Sequence, residues 1–253
     1  MNKISGFAGR WLAKFLEQPL RSYQPFSINN TETLRRCMQP GDVLLVEGNL
    51  RISGAIKYLT QSTWSHAAMY VGDSLGKDNP EGELLDLIEA DLTKGVIALP
   101  LSSYATFNTR ICRPVHLTRE DQKILVQFMC ESLGNEYDLK NVIDLMRYLL
   151  PTPPVPVSWR RRMLAFGSGD PTRAICSTLI AKAFQGIRYP ILPEIKHELV
   201  KTDAGCVYSE KEILHIRHHS LFTPRDFDIS PYFEVVKPTL ETGFDYKKLN
   251  WAS

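Results

Sequence analysis

Five short apolar segments follow one another between residues 42 and 115, and they constrain the fold more than any other feature. They lie at 42–46, 66–71, 84–89, 95–99 and 109–115. Apolar runs of this length between turn-forming residues are typical of β-strands. In 66–71 successive side chains would point to opposite faces of a pleated strand, so that residues 66, 68 and 70 share one face and residues 67, 69 and 71 share the other. The brief connection between 84–89 and 95–99 predicts a hairpin, so this half of the chain predicts a sheet.

Helical patterns surround these strands and then replace them. Thr118 is a suitable N-cap for a helix with an apolar stripe that ends near Gly134. The residues after 186 are expected to form mainly loops, with one strand near 232–236. The other predicted helices cover 34–38, 52–63, 138–150 and 176–185.

Length and charge exclude several classes of protein. The 253 residues suffice for one well-buried α/β domain or two small ones. The 30 basic and 28 acidic side chains are spread along the chain and give a formal net charge of +2. Because no large field of one sign is expected from this pattern, nucleic acid is not a predicted partner. The sequence predicts no oligomeric state.

The five cysteines are widely separated and include no Cys-x-x-Cys pair. This pattern argues against a disulfide framework and against a zinc cluster. His215, His218 and His219 are close in sequence but have no cysteine or acidic partner at ligand spacing, so surface positions are expected for them. The sequence therefore predicts reduced thiols, no metal and no organic cofactor. The cysteines are Cys37, Cys112, Cys130, Cys176 and Cys206.

The N-terminal segment is amphipathic rather than a signal peptide. No stretch approaches the roughly 20 apolar residues of a membrane span, and no signal-peptide pattern is visible, so a cytoplasmic location is the default expectation. Phe7, Trp11 and Phe15 recur at four-residue intervals beside basic side chains. A helix of this kind either packs against protein, which is the more frequent arrangement, or makes peripheral contact with a membrane.

Cys176 has the sequence environment of a nucleophile. An apolar helical stripe begins at Cys176 itself, and the N-terminus of a helix stabilises a thiolate. His66 opens a predicted strand and is the candidate base. Glu89 closes another, where its carboxylate would orient the imidazole if the two strands are neighbours. Asp86 and Asp91 flank Glu89, and a shift of register would exchange their positions.

Several motifs, in a fixed order, resemble one family of enzymes. They are Pro-Gly-Asp-Val-Leu-Leu-Val at 40–46, Ser-His-Ala-Ala-Met-Tyr-Val-Gly at 65–72, Ile-Glu-Ala at 88–90 and Ile-Cys-Ser-Thr-Leu-Ile at 175–180. Two further matches are Gly-Asn-Glu-Tyr-Asp at 134–138 and Thr-Pro-Arg-Asp at 223–226. This order resembles the YiiX/YebB-type cysteine hydrolases, which are circularly permuted relatives of the NlpC-type papain-like enzymes.

The resemblance implies a fold and a set of site residues. The expected fold is a circularly permuted papain-like α+β domain, with an antiparallel sheet packed against helices that include the nucleophile helix. It implies Cys176 as nucleophile, His66 as base, Glu89 as the orienting carboxylate and Tyr137 near the substrate. The hydrolase domain would span 31–237, between an N-terminal helix and connector at 1–30 and a C-terminal tail at 238–253.

Three functions are compatible with these expectations. The resemblance implies hydrolysis of an amide, in a peptide or a cell-wall-type substrate, through an acyl-thioester intermediate. A lipid acyl hydrolase or acyltransferase at a membrane surface would use the same thiol chemistry and the aromatic N-terminal helix. A non-catalytic binding module would keep the fold without a reactive Cys176. The sequence departs from the family pattern at 151–171, at Thr178 and in the tail beyond Val236, and the first two departures leave the substrate preference open.

Overall fold

The computed structural model describes residues 18, 25, 30–91, 94–135, 175–201, 208–215, 218–241, 243, 245 and 247. In these residues the helices are α1 (Thr31–Cys37), α2 (Arg51–Thr60), α3 (Arg119–Glu131), α4 (Ile175–Gly186), α5 (Pro224–Asp228) and α6 (Pro238–Glu241). The strands are β1 (Val43–Val46), β2 (His66–Tyr70), β3 (Leu87–Asp91), β4 (Gly95–Leu99), β5 (Thr109–Pro114), β6 (Glu194–Lys201), β7 (Tyr208–His215) and β8 (Phe233–Val236). Two short 3₁₀ helices lie at Leu101–Tyr104 and His219–Leu221.

A six-stranded antiparallel sheet in the order β4-β3-β2-β1-β5-β8 forms the centre of the domain. Its middle strand β1 is buried along its whole length. Val46, the last residue of β1, pairs with His66 of β2 on one side and with Thr109 of β5 on the other. The start of β2 therefore lies at the same end of the sheet as the end of β1 and the start of β5.

Each face of the sheet has its own hydrophobic layer. Strand alternation places Leu45 and Met69 on one face with apolar residues of α3 and α4, and places Leu44 and Tyr70 on the other with residues of α1. Both layers are almost fully buried. This packing is the expected α+β arrangement, an antiparallel sheet covered by helices that include the one carrying Cys176.

Most predicted elements of the first 135 residues are present with small shifts at their ends. The strands predicted at 84–89 and 95–99 form the β3–β4 hairpin, although β3 begins later, at Leu87. Thr118 is the N-cap of α3, where its side chain accepts a hydrogen bond from the Asp121 N–H at 3.1 Å. Pro114 ends β5, which lies between β1 and β8.

The expectation of a loop-rich C-terminal part is wrong. Strands β6 and β7 pair antiparallel along eight residues each and form a separate two-stranded sheet. His215 is the last residue of β7 rather than part of a loop. The predicted helix at 138–150 lies outside the described residues, as does nearly all of the segment at 1–30. The three-part division of the chain stays a prediction.

In the described part of the chain, no helix combines the length and the apolar composition that crossing a membrane requires.

Candidate active site

Cys176 lies in the first turn of α4. It is 5% exposed and is followed by Ser177, which is fully buried. Backbone N–H groups in the first turn of a helix have no carbonyl partner within the helix, and together with the helix dipole they favour a negative charge nearby. The Ser177 hydroxyl lies 3.9 Å from the sulfur. The local structure therefore presents the sulfur where an anion is stabilised.

His66 is the first residue of β2, and its side chain is 23% exposed. Its Nε2 lies 2.8 Å from Oε2 of Glu89, and this carboxylate side chain is only 7% exposed. The Cys176 thiol hydrogen-bonds the same imidazole. Because Glu89 occupies Nε2, Nδ1 is the nitrogen that remains for the sulfur. The carboxylate thus fixes which nitrogen exchanges a proton with the thiol.

The neighbouring strands β2 and β3 bring this histidine and glutamate together. Their register pairs Met69 with Ile88 and Tyr70 with Leu87. Continued by one step, it places Glu89 opposite Ala68, so His66 is a diagonal neighbour of Glu89 on the same face. Diagonal pairs on one face of a sheet are within reach of long side chains. Strands β2 and β3 are therefore neighbours, as the predicted role of Glu89 beside His66 requires.

The thiol and the imidazole shift each other's pKa in opposite directions. Burial lowers the pKa of His66, but the charges of Glu89 and of the Cys176 sulfur outweigh it and hold this pKa well above its usual value. Burial raises the pKa of Cys176, but the positive charge and hydrogen bond of His66 outweigh it and leave this pKa below its usual value. Both shifts favour a thiolate–imidazolium pair.

A backbone N–H from β2 also stabilises the sulfur. The N–H of Ala67 hydrogen-bonds Cys176 and lowers the pKa of the thiol. Val71 donates its N–H to Asp86 on the β3 side, and alternation along β2 directs the Ala67 N–H to that side as well. Pairing between β2 and β3 ends at Met69 and Ile88. The separation of the strands beyond this point leaves the Ala67 N–H available to the sulfur.

Tyr104 is a site residue that the sequence reasoning missed. It ends the 3₁₀ helix Leu101–Tyr104, and its hydroxyl donates to Oε2 of Glu89, the same oxygen that faces Nε2 of His66. The two rings are 6.1 Å apart between centroids. Burial, followed by the charge of Glu89, raises the pKa of Tyr104 well above its usual value, so the hydroxyl stays protonated and remains a donor.

The two aspartates considered as alternatives to Glu89 have other partners. Asp86 is fully buried; it accepts the Leu101 N–H at 2.7 Å and pairs with Arg35 at 3.1 Å. Asp91 accepts the N–H of Lys94 at 2.8 Å in the β3–β4 turn. Asp86 therefore anchors the start of the 3₁₀ helix that carries Tyr104, while Glu89 is the carboxylate beside the histidine.

The other described cysteines lack these features. Burial is the largest cause that raises the pKa of Cys37, Cys112 and Cys130 above the usual value of a thiol. Cys206 lies outside the described residues. Among the four described thiols, only that of Cys176 has a lowered pKa. The structure therefore distinguishes Cys176 as the thiol most readily ionised in that group.

Tyr137 and the histidine group are the remaining candidates from the sequence. Tyr137 lies outside the described residues. His218 and His219 stack on each other with ring centroids 4.1 Å apart. Within the described ranges, no group of three or more His, Cys, Asp or Glu side chains has an arrangement that could hold a metal ion.

Comparison with known proteins gives one family match. Residues 37–148 match the family model described as "Permuted papain-like amidase enzyme, YaeF/YiiX, C92 family". No curated protein matches the chain. Among solved structures, the crystal structure of the metalloprotein YiiX from Escherichia coli O157:H7 is similar, with a TM-score of 0.44 and 18% sequence identity over 79% of this chain and 97% of that one. The matched residues make up less than half of the chain; they include His66 and Glu89 and end before Cys176, and over this part the chain is similar to the permuted papain-like amidases.

Proposed function

We propose that the enzyme hydrolyses an amide bond of a peptide or cell-wall-type substrate through an acyl-thioester on Cys176. The observation that carries the proposal is the geometry of the pair: Cys176 lies in the first turn of α4, and Nε2 of the neighbouring His66 is held by Glu89 at 2.8 Å. The lowered pKa of Cys176 and the raised pKa of His66 agree with this arrangement. A thiolate beside an imidazolium supplies a nucleophile and a general acid before the substrate arrives.

The acylation step uses both members of the pair. The Cys176 thiolate attacks the carbonyl carbon, and the carbonyl oxygen acquires negative charge in a tetrahedral intermediate. The backbone N–H groups of the first turn of α4 are the proposed donors to this oxyanion. Nδ1 of the imidazolium transfers its proton to the leaving nitrogen as the C–N bond breaks. The products are a free amine and a thioester.

The deacylation step returns the enzyme to its starting state. Neutral His66 removes a proton from water through Nδ1, and the resulting hydroxide attacks the thioester carbonyl. Collapse of this second intermediate breaks the C–S bond, releases a carboxylic acid and regenerates the thiolate beside the imidazolium. Glu89 keeps its hydrogen bond to Nε2 throughout, so the same nitrogen serves as acid and then as base.

The test is to trap the intermediate. The protein is mixed with panels of peptide amides, cell-wall-type amides and matched acyl esters, quenched in acid, and digested for peptide mass mapping. We expect the mass of the acyl group on the peptide containing Cys176 for at least one amide. Retention of that adduct in His66→Ala with slow turnover would agree with the role of His66 in deacylation.

Two results would contradict the proposal. Turnover of an amide by Cys176→Ala at the wild-type rate would exclude a thioester on this sulfur. Acylation by long-chain lipid esters, with no acylation by any amide, would instead favour the lipid acyl hydrolase or acyltransferase. Cys130→Ala is the matched control, since it removes a thiol of raised pKa on α3 and leaves the nucleophile in place.

A further inference from the structure

A polar cavity of about 660 Å³ opens at the end of the sheet where His66 lies. Its walls come from α2, from the turn that precedes β2, from β5 and from α5. Trp64, two residues before His66, forms part of the wall, and so does Arg110 on β5. None of the residues that the amidase mechanism uses belongs to this wall.

The register of the sheet places the cavity at the same end of the sheet as His66. Val46 of β1 separates His66 from Thr109, which precedes Arg110. Two strand spacings separate β2 from β5, or about 10 Å. Arg110 pairs with Leu45, whose side chain lies in the hydrophobic layer shared with α4, so Arg110 stands on the face that α4 covers. The cavity and the nucleophile helix thus share one face and one end of the sheet.

Arg110 is held rigidly at the cavity wall. Its guanidinium carbon lies 4.9 Å from the centroid of the Trp64 ring, and its NH1 pairs with Oδ1 of Asp228. The Trp64 indole N–H donates to the other oxygen of Asp228 at 3.0 Å. Both carboxylate oxygens are therefore engaged, and the guanidinium is stacked and clamped in one orientation. A planar guanidinium fixed in this way retains further N–H donors for an oxyanion.

Arg225 on α5 brings a second guanidinium to the same cavity. Its NH1 donates to the backbone carbonyl of Thr60 at 3.1 Å, and the residue is exposed. In the described part of the chain, no carboxylate lies within ion-pair distance of Arg225. The other lining carboxylate, Glu47, pairs with Lys57 at 3.0 Å. Three basic and two acidic side chains line the cavity, which leaves one positive charge in excess.

We propose that this cavity is a subsite for an anionic group of the substrate, a carboxylate or a phosphate, and that Arg110 and Arg225 are its ligands. The proposal rests on the proposed amidase function, because it concerns the substrate of that site. A guanidinium group binds an oxyanion with paired hydrogen bonds, which an ammonium group does not provide, and two guanidinium groups line this cavity. The preferred substrates would carry an anionic group joined to the scissile carbonyl by a spacer of one optimal length, which the second experiment below measures.

The first experiment measures anion binding without catalysis. Inorganic phosphate is titrated into the full-length protein by isothermal titration calorimetry, with ionic strength held constant by chloride. We expect one saturable site that is weakened about tenfold or more in Arg225→Gln and in Arg110→Gln, the loss of a charge-assisted hydrogen bond. Arg36→Gln, which removes an exposed guanidinium paired with Glu32 on α1, should leave binding unchanged. Absence of saturable binding, or equal binding by all variants, would overturn the proposal.

The second experiment separates a substrate group from an independent anion. Mono-anilides of straight-chain diacids of increasing length are compared with their methyl esters, which lack the charge. We expect KM to be lower for the free acid of one optimal length, and this preference to be lost in Arg225→Gln while kcat is kept. Phosphate binding without any preference among the anilides would show an anion site unconnected to the substrate, and would refute the subsite.

Failure of the amidase proposal is distinguishable from failure of the subsite. Phosphate titration of Cys176→Ala reports on the cavity whether or not the thiol is catalytic. Normal phosphate binding with no acyl-enzyme on Cys176 for any substrate would refute the amidase proposal alone. A trapped acyl-enzyme with no effect of either arginine would refute the subsite alone.

Discussion

Replacement of Tyr104 by phenylalanine tests how the carboxylate controls the histidine. The tyrosine hydroxyl and Nε2 of His66 meet the same oxygen of Glu89. The hydroxyl withdraws negative charge from the oxygen that stabilises the imidazolium. In Tyr104→Phe this charge is available to His66 alone, so the pKa of His66 should rise further above its already elevated value.

The magnitude follows from the strength of the lost hydrogen bond. A hydrogen bond to a charged group contributes about 1.5–3 kcal/mol. Glu89 accepts it in both protonation states of His66, so only the difference between those states changes the pKa. We expect an upward shift of about 0.5–1 unit, or about 0.7–1.4 kcal/mol. Deacylation needs neutral imidazole, and kcat at neutral pH should therefore fall.

The assay is a histidine-selective NMR titration of the resting enzyme, with the His66 signal assigned by its absence in His66→Ala. The rise in the pKa of His66 should also move the basic limb of the pH profile of kcat/KM to higher pH, because acylation requires the imidazolium. Tyr189→Phe is the matched control. The Tyr189 hydroxyl bonds the carbonyls of Val115 and Tyr232, at 2.9 and 2.7 Å, away from the catalytic pair.

A merely structural role of Tyr104 makes a different prediction. Both tyrosine variants would then lose about 1–2 kcal/mol of unfolding free energy, and neither would change the His66 titration. An unchanged or lowered pKa of His66 in Tyr104→Phe would refute the reasoning. It would mean that the hydroxyl does not compete for the charge of Glu89.

Three further substitutions probe other parts of the account. Glu89→Gln keeps an acceptor for Nε2 but removes the negative charge beside it, so the pKa of His66 should fall by about 1–2 units. The basic limb of the pH profile of kcat/KM should then move to lower pH, and an unchanged profile would contradict the role of Glu89. Cys176→Ala should abolish turnover while the free energy of unfolding, measured in urea, changes by only about 1 kcal/mol; residual turnover would place the nucleophile elsewhere. Asp86→Asn should lower the free energy of unfolding by about 1–2 kcal/mol, because it removes the charge that pairs with the partly exposed Arg35. Asp73→Asn, at an exposed position, should have little effect, and equal losses in both variants would contradict the anchoring of the 3₁₀ helix by Asp86.

The strands of the central sheet were predictable because their signals are local. Short apolar runs between turn residues marked β1 to β5, and the cap at Thr118 marked the start of α3. Strands β6 and β7 gave no such signal. They alternate lysine and glutamate with isolated apolar residues and form their own two-stranded sheet. The two strands pair with each other along eight residues each, and composition does not reveal pairing.

The candidate site was predictable only in part, because its geometry is not local. Glu89 and Asp91 share a face by period two, so alternation alone does not decide which carboxylate meets the histidine. The structure distinguishes them through the β3–β4 turn, which engages Asp91. Tyr104 belongs to no motif and lies in a short 3₁₀ helix. Its contact with Glu89 depends on the fold of residues 86–104, and no sequence signal indicates it.

The most direct test of the thiolate–imidazolium pair is the rate of alkylation of each cysteine as a function of pH. Iodoacetamide labelling followed by peptide mass mapping should modify Cys176 first, at a pH below about 8.5, the usual pKa of a free thiol. Cys112, which is fully buried with a raised pKa, should remain unlabelled in the folded protein. His66→Ala should move the labelling of Cys176 to higher pH. Labelling of Cys176 that begins only above the usual thiol pKa, or that is unchanged in His66→Ala, would contradict the account.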